Sequence, residues 1–129
     1  MTMADRMTMI RECESVGRAL NFEVDLAVNI GGGELDVVWT KNEHPNLPAT
    51  KFGFCICAQS GDVPIRCITL GIITALVSVC DQLIFVVPDE PTQRSILGKI
   101  DSMGSIGGIM QFRKYASAIT HEELLGGVT

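Results

Sequence analysis

Asp36 is the side chain best placed for chemistry in this chain of 129 residues. It lies between Leu35 and Val37, in a stretch from Glu34 to Thr40 whose pattern predicts a strand. A carboxylate at a strand centre is costly to bury without a metal, a cation or hydrogen-bond donors, so Asp36 either faces solvent or is held by one of these. Glu34 and Val38 share its face, which leaves Leu35, Val37 and Trp39 to the core. Cys55 and Cys57 are the second point of interest. Two positions apart on a strand expected from Phe52 to Ala58, they project from one face and could bind a soft metal together if Cys67 or Cys80 came near. A zinc or iron-sulfur signature would carry Cys-x-x-Cys pairs or an adjacent His. His44 and His121 lie outside this strand and the helix after it, so the spacing favours buried free thiols. A Cys55–Cys57 disulfide is disfavoured, because same-face neighbours on a strand sit about 6.5 to 7 Å apart.

Other chemistries find less support. Neither His has a context that marks a nucleophile or its orienting partner, which argues against acyl transfer by a Ser-His-Asp set. Gly31, Gly32 and Gly33 precede a strand, whereas a phosphate-cradling loop opens a helix, so they read as a hairpin turn. Arg94, Lys99, Arg113 and Lys114 stand among Asp89, Glu90 and Asp101 and read as a solvated surface rather than a basic patch.

The elements that must position these residues follow from periodicity. Met3, Met7, Ile10, Cys13, Val16, Gly17 and Leu20 recur at helical spacing, with Arg6, Arg11, Glu12 and Arg18 outward and Asn21 as the closing residue. Phe22, Val24, Leu26, Val28 and Ile30 alternate with polar or small residues, predicting a strand with one buried face and a hairpin to the next. The strand from Phe52 is apolar enough to be central, and Ser60-Gly61-Asp62 ends it and can cap a helix from Val63 to Val79. That helix carries Arg66 as its only charge, so it must be covered on every side, and a subunit contact is the expected cover. Leu83 to Val87 reads as a strand stopped by Pro88. A helix opens at Asp89-Glu90-Pro91-Thr92 and reaches about Ile100, Ile109 to Phe112 is a candidate last strand, and Thr120 to Glu123 forms a capping box for a terminal helix.

Composition bounds the rest. One domain over residues 1–129 is expected, since the apolar fraction is 47% and the charged fraction 19%, with a mean hydropathy of +0.30 that excludes disorder. Ten Lys and Arg against fifteen Asp and Glu give a net charge of −5, which advertises neither a nucleic acid nor an anionic membrane as partner. The five cysteines are an odd number with no secretory pattern before them, so a reduced, cytoplasmic setting is expected. The longest apolar stretch, Cys67 to Cys80, is too short to span a bilayer, and no membrane association is expected.

The element order and the strand residues resemble the PD-(D/E)xK, or restriction-endonuclease-like, superfamily. Gly33-Glu34-Leu35-Asp36-Val37-Val38-Trp39 looks like its second-strand motif, and Phe54-Cys55-Ile56-Cys57 stands where members carry Phe-Glu-Val-Glu or Glu-x-Lys. Leu83 to Pro88 resembles the next core strand, and the resemblance covers roughly Met7 to Ile100. It implies an α/β fold in the order αβββαβα followed by a short strand and helix, with a central mixed sheet, an antiparallel hairpin and flanking helices. In that family the strand-two Asp and strand-three Glu hold a divalent metal, and the Lys two residues on helps position or activate the attacking water. Asp36 matches the first acid, while Cys55 falls at the Glu position and Cys57 at the Lys position. Thiolates suit Mg²⁺ poorly and cannot replace the Lys charge, so the standard mechanism is not expected. Some members move a catalytic side chain to a neighbouring element, and Glu14, Gln59 and Arg66 are the candidates for such relocation.

The expected function is a catalytically degenerate nuclease-like scaffold, acting as a homo-oligomer through the helix at 63–79 or as a subunit of a nucleic-acid-processing assembly. No cofactor is expected. The alternatives are a nuclease using Mg²⁺ or Mn²⁺ at Asp36 with relocated partners, and a protein-interaction module with no nucleic-acid role.

Overall fold

The computed structural model describes residues 6–29, 33–77, 80–105 and 115–126. Helix α1 (Arg6–Ala19) buries Met9, Ile10, Cys13, Val16 and Gly17. Its apolar stripe centres on Cys13, so Met7 and Leu20, expected inside, are exposed, and Met9 takes the buried place. The helix closes at Asn21 as the sequence suggests. Asn21 takes a φ of 67°, its N–H donates to the Arg18 carbonyl at 3.0 Å, and the Phe22 N–H donates to the Gly17 carbonyl at 2.9 Å, the paired bonds of a Schellman end.

Strands β1 (Glu23–Asn29), β2 (Glu34–Lys41) and β3 (Thr50–Ile56) form an antiparallel meander. Helix α2 (Ile65–Val77) crosses to β4 (Gln82–Val87), and α3 (Glu90–Ser105) crosses to β5 (Ala116–Thr120), both strands joining in parallel. The five strands lie in chain order, which places β3 at the centre, and α4 (His121–Gly126) ends the described chain. The result is a three-layer α/β fold with a mixed sheet. Met9, Ile10, Cys13 and Val16 of α1 and Leu124 of α4 pack with Val37, Trp39, Phe54 and Ile56 on one face. Ile68, Ile72 and Ala75 of α2 and Ile96 and Ile100 of α3 pack with Leu35, Phe85 and Val87 on the other.

Local chemistry accounts for the helix ends and for several departures from expectation. The Asp89 carboxylate caps α3 by accepting from the Thr92 N–H at 3.0 Å and its hydroxyl at 2.6 Å, with Pro91 in the first turn. Thr120 and Glu123 make the expected capping box, each N–H donating to the other's side chain at 3.1 Å. Ser60-Gly61-Asp62, however, does not cap α2. The Pro64 carbonyl begins that helix by accepting from the Cys67 N–H at 3.0 Å, while Ser60 donates to Asp89 and Asp62 accepts from Lys99 Nζ at 2.5 Å and Ser95 at 2.7 Å. The loop is thus tied to α3, and α2 begins at Ile65 rather than at the expected Val63, with residues 78 and 79 of the expected 63–79 helix outside the described residues. Helix α3 continues past Ile100 to Ser105. The candidate strand from Ile109 to Phe112 lies outside the described residues, as do Gly31, Gly32, Arg113 and Lys114. The fifth strand is Ala116–Thr120, where small buried residues alternate with Ser117 and Ile119.

Candidate functional site

The sheet opens between β2 and β3 at Asp36. Regular pairing of these strands reaches Val37↔Phe54, and beyond it the Asp36 carboxylate accepts the Ile56 N–H at 2.7 Å. On the other side, the β1–β2 ladder steps from Leu26↔Val37 to Val28↔Leu35, passing over Ala27, which has a φ of 51°. A non-glycine residue in the left-handed region turns the chain, so the strands change face here. Val37 and Trp39 pack with the α1 layer, whereas Leu35 and Val38 pack with the α2–α3 layer. The expectation that Leu35, Val37 and Trp39 share one face is therefore corrected, although all three are buried. In β1 the same break leaves Val24 and Val28 in different layers and Leu26 44% exposed at the sheet edge.

Asp36 is only 12% exposed at its side chain and is held by both a donor and a cation. The donor is Ile56 N–H, and the cation is Arg6, at the start of α1, whose guanidinium pairs with Oδ1. The sequence places Arg6 on the outward face of its helix. Its position thirty residues before Asp36 leaves no local signal of the pairing, which depends on how α1 lies across the sheet.

Cys55 and Cys57 do share a face, and they pack with the α2–α3 layer. Cys55 Sγ is 3.4 Å from where a Cβ on Gly71 would sit, so the absence of a side chain there lets α2 approach β3 closely. Burial, reinforced by the negative charge of Asp36, pushes the Cys55 thiol up to about 12 and the Cys57 thiol up to about 11. Cys13 on α1 rises to about 12 for the same two reasons. All five cysteines are free, as expected, and these three thiols are neutral at ordinary pH.

Glu14 is turned along α1 to Arg18, at 3.1 Å. Gln59 and Arg66 are exposed, in the loop after β3 and in the first turn of α2. Among the described residues, none of these three hydrogen-bonds to Asp36, and no three His, Cys, Asp or Glu side chains converge as metal ligands.

A hard divalent cation requires several oxygen donors in one shell. The residues around Asp36 supply one carboxylate, already bonded to a guanidinium and an N–H, beside the neutral thiols of Cys13, Cys55 and Cys57. This donor set does not fit Mg²⁺ or Mn²⁺. Elsewhere, Arg94 pairs with Glu90 at 3.3 Å and Lys99 with Asp62, so these cations serve local carboxylates. A depression of about 540 Å³ near the C-terminal end of β4 is lined by Pro88, Asp89, Glu90, Thr120, Glu122 and Glu123, an acidic rim that repels phosphate.

No protein-family model and no curated protein matches the chain. Among solved structures, it is similar to restriction endonuclease FokI bound to DNA, with a TM-score of 0.63 and 12% identity over 96% of this chain and 24% of that one. It is similar also to a structure of restriction endonuclease FokI, with a TM-score of 0.60 and 13% identity over the same shares. The chain thus spans about a quarter of the length of the proteins it resembles. At this identity the likeness concerns the fold alone, which is restriction-endonuclease-like, as the sequence motifs suggest. No helix among the described residues is long and apolar enough to cross a membrane.

Proposed function

We propose that this chain is a nuclease-type scaffold whose metal centre has been dismantled, and that it acts through its surfaces as a homo-oligomer or as a subunit of a nucleic-acid-processing assembly. The observation that carries this reading is the state of Asp36. Its carboxylate is satisfied by Arg6 and by the Ile56 N–H, and Cys55 on β3 and Cys57 just past its end hold neutral thiols. Metal-assisted phosphodiester hydrolysis needs oxygen ligands to hold the cation and a site that polarises the attacking water. Arg6 neutralises the carboxylate in place of a metal, so the fold keeps its shape with no charge vacancy at the strand split.

The net charge of −5 supports a scaffold that leaves phosphate contacts to other subunits. The test is incubation of supercoiled DNA, and separately of single-stranded RNA, with the purified chain and Mg²⁺ or Mn²⁺, beside an Asp36→Ala preparation. Equal background in both preparations is expected. Cleavage by the natural chain that disappears in Asp36→Ala would overturn the reading.

A further inference from the structure

We propose that Cys57, just past the end of β3, and Cys67, in the first turn of α2, form a redox-modification site that takes a low-molecular-weight disulfide as oxidant and closes an internal Cys57–Cys67 bond. The site lies on the α2 side of the central strand and does not depend on the reading of Asp36.

Helix α2 runs back over β3, and successive contacts between them give the alignment. Gly53, Cys55 and Cys57 alternate along the strand, and both cysteines pack with the α2–α3 layer. A Cβ on Gly53 would lie 3.3 Å from Cys80 Sγ, beyond the C-terminal end of α2, and a Cβ on Gly71 would lie 3.4 Å from Cys55 Sγ. Later helix residues thus stand over earlier strand residues. Cys67 is one turn before Gly71, a step of about 6 Å along the helix. Cys57 is two residues after Cys55, a step of about 6.6 Å along the strand. The two steps run in the same direction, so Cys67 is brought to Cys57 as Gly71 is brought to Cys55. At the first two levels a glycine faces a cysteine, and at the third a thiol faces a thiol. Electrostatics agrees with this alignment: after burial and Asp36, the Cys67 thiol is among the groups that push the Cys57 thiol up to about 11.

The two thiols differ in access, which divides the steps between them. Cys67 is exposed, whereas Cys57 is half-buried. The Cys67 sulfur, as thiolate, attacks one sulfur of the incoming disulfide, forms a mixed disulfide and expels the other half as a thiolate that takes up a proton. The Cys57 sulfur gives up its proton to solvent, attacks Cys67 Sγ and expels the second half in the same way. The protein loses two protons and two electrons in all, and the oxidant becomes two thiols. Because burial keeps the Cys57 thiol protonated at neutral pH, the second step is the slow one. The bond ties the start of α2 to the central strand.

The test is incubation of the reduced full chain with oxidised glutathione, quenching with acid at intervals, alkylation of the remaining thiols and measurement of the intact mass. The natural chain should pass through a single glutathione adduct to a form that has lost two of its five alkylatable thiols. Trypsin cuts after Arg66, between the two cysteines, so the 52–66 and 67–94 peptides should remain joined, with fragment masses placing the bond between Cys57 and Cys67. Raising the pH from 7 to 9 should speed closure of the adduct about a hundredfold. Cys57→Ser should stop at the adduct on Cys67, and Cys67→Ser, at an exposed position, should keep every remaining thiol. The mapping of the natural chain decides the matter if Cys57→Ser fails to fold. An adduct on Cys67 that persists in the natural chain, a bond between any other pair of cysteines, or thiols left untouched would overturn the proposal.

Discussion

Helices α1 and α2, on opposite faces of the sheet, are fastened to it by different physics. Helix α1 is fixed by directional contacts: Trp39 Nε1 donates to the Cys13 carbonyl at 3.2 Å, Arg6 pairs with Asp36, and Glu12 pairs with His121 of α4. Gly17 leaves room for the indole, which stacks further on Phe22 and Phe54 at centroid distances of 5.2 and 4.3 Å. Helix α2 is held on its inner face by Ile68, Ile72 and Ala75 packing on the sheet, and its two threonine hydroxyls turn back on its own backbone. Arg6 of the α1 layer answers the opening at Asp36, where a polar group needs a partner. On the opposite face α2 is held by apolar packing, and its outer surface keeps Ile65, Leu70, Ile73 and Leu76 exposed.

That contrast can be sharpened by perturbing each layer in turn. The steepest effect should come from alkali. Cys13 belongs to the α1 layer, Cys55 and Cys57 to the other, and all three thiols titrate well above the ordinary value of 9.0. Between about pH 9 and pH 11 the unfolded chain loses these protons while the folded chain keeps them, so stability falls as pH rises. The slope is at most about 1.4 kcal/mol per pH unit for each thiol. Urea midpoints across this range check the slope, and Cys13→Ala and Cys55→Ala should each flatten it by one thiol's share.

Next in size is Gly17→Ala. A Cβ there would stand 2.4 Å from Trp39 Nε1, and the indole cannot retreat without losing its bond to Cys13, so about 3 kcal/mol should be lost in chemical denaturation. Asp36→Ala should cost about 2 kcal/mol, because it strands the Ile56 N–H and removes the partner of Arg6. Asp36→Asn, which keeps an acceptor, should recover part of that loss. Arg6→Ala is the mildest. Arg6 is half exposed, so solvent screens the pair and about 0.5 kcal/mol is the expected change.

Much of this arrangement was legible in the residues themselves. Changes of period mark α1, the β1–β2 hairpin, β3, α2, β4 and α3 in order, and Thr120 with Glu123 marks the start of α4. Strand β5 escaped because Ala116, Ser117 and Ala118 are too small and too mixed in polarity to display an alternation. The change of face at Asp36 was hidden for another reason. It depends on the backbone of Ala27, and nothing about an alanine signals a positive φ. Of the site, Asp36 and the same-face pair Cys55 and Cys57 could be read from strand spacing, and the need for a cation or donor at Asp36 followed from the cost of burying it. Which cation could not be read, since Arg6 looks like any outward residue of an amphipathic helix until α1 is laid across the sheet. The role of Asp62 was missed similarly, because its partners Ser95 and Lys99 come from a helix far along the chain.

The central claim is that Arg6 and the neutral thiols have replaced a metal site at Asp36. Calorimetric titration of the metal-free chain with Mn²⁺, beside Asp36→Ala, tests it most directly. The account predicts no saturable heat from either protein. Saturable one-to-one binding by the natural chain, absent from Asp36→Ala, would contradict it.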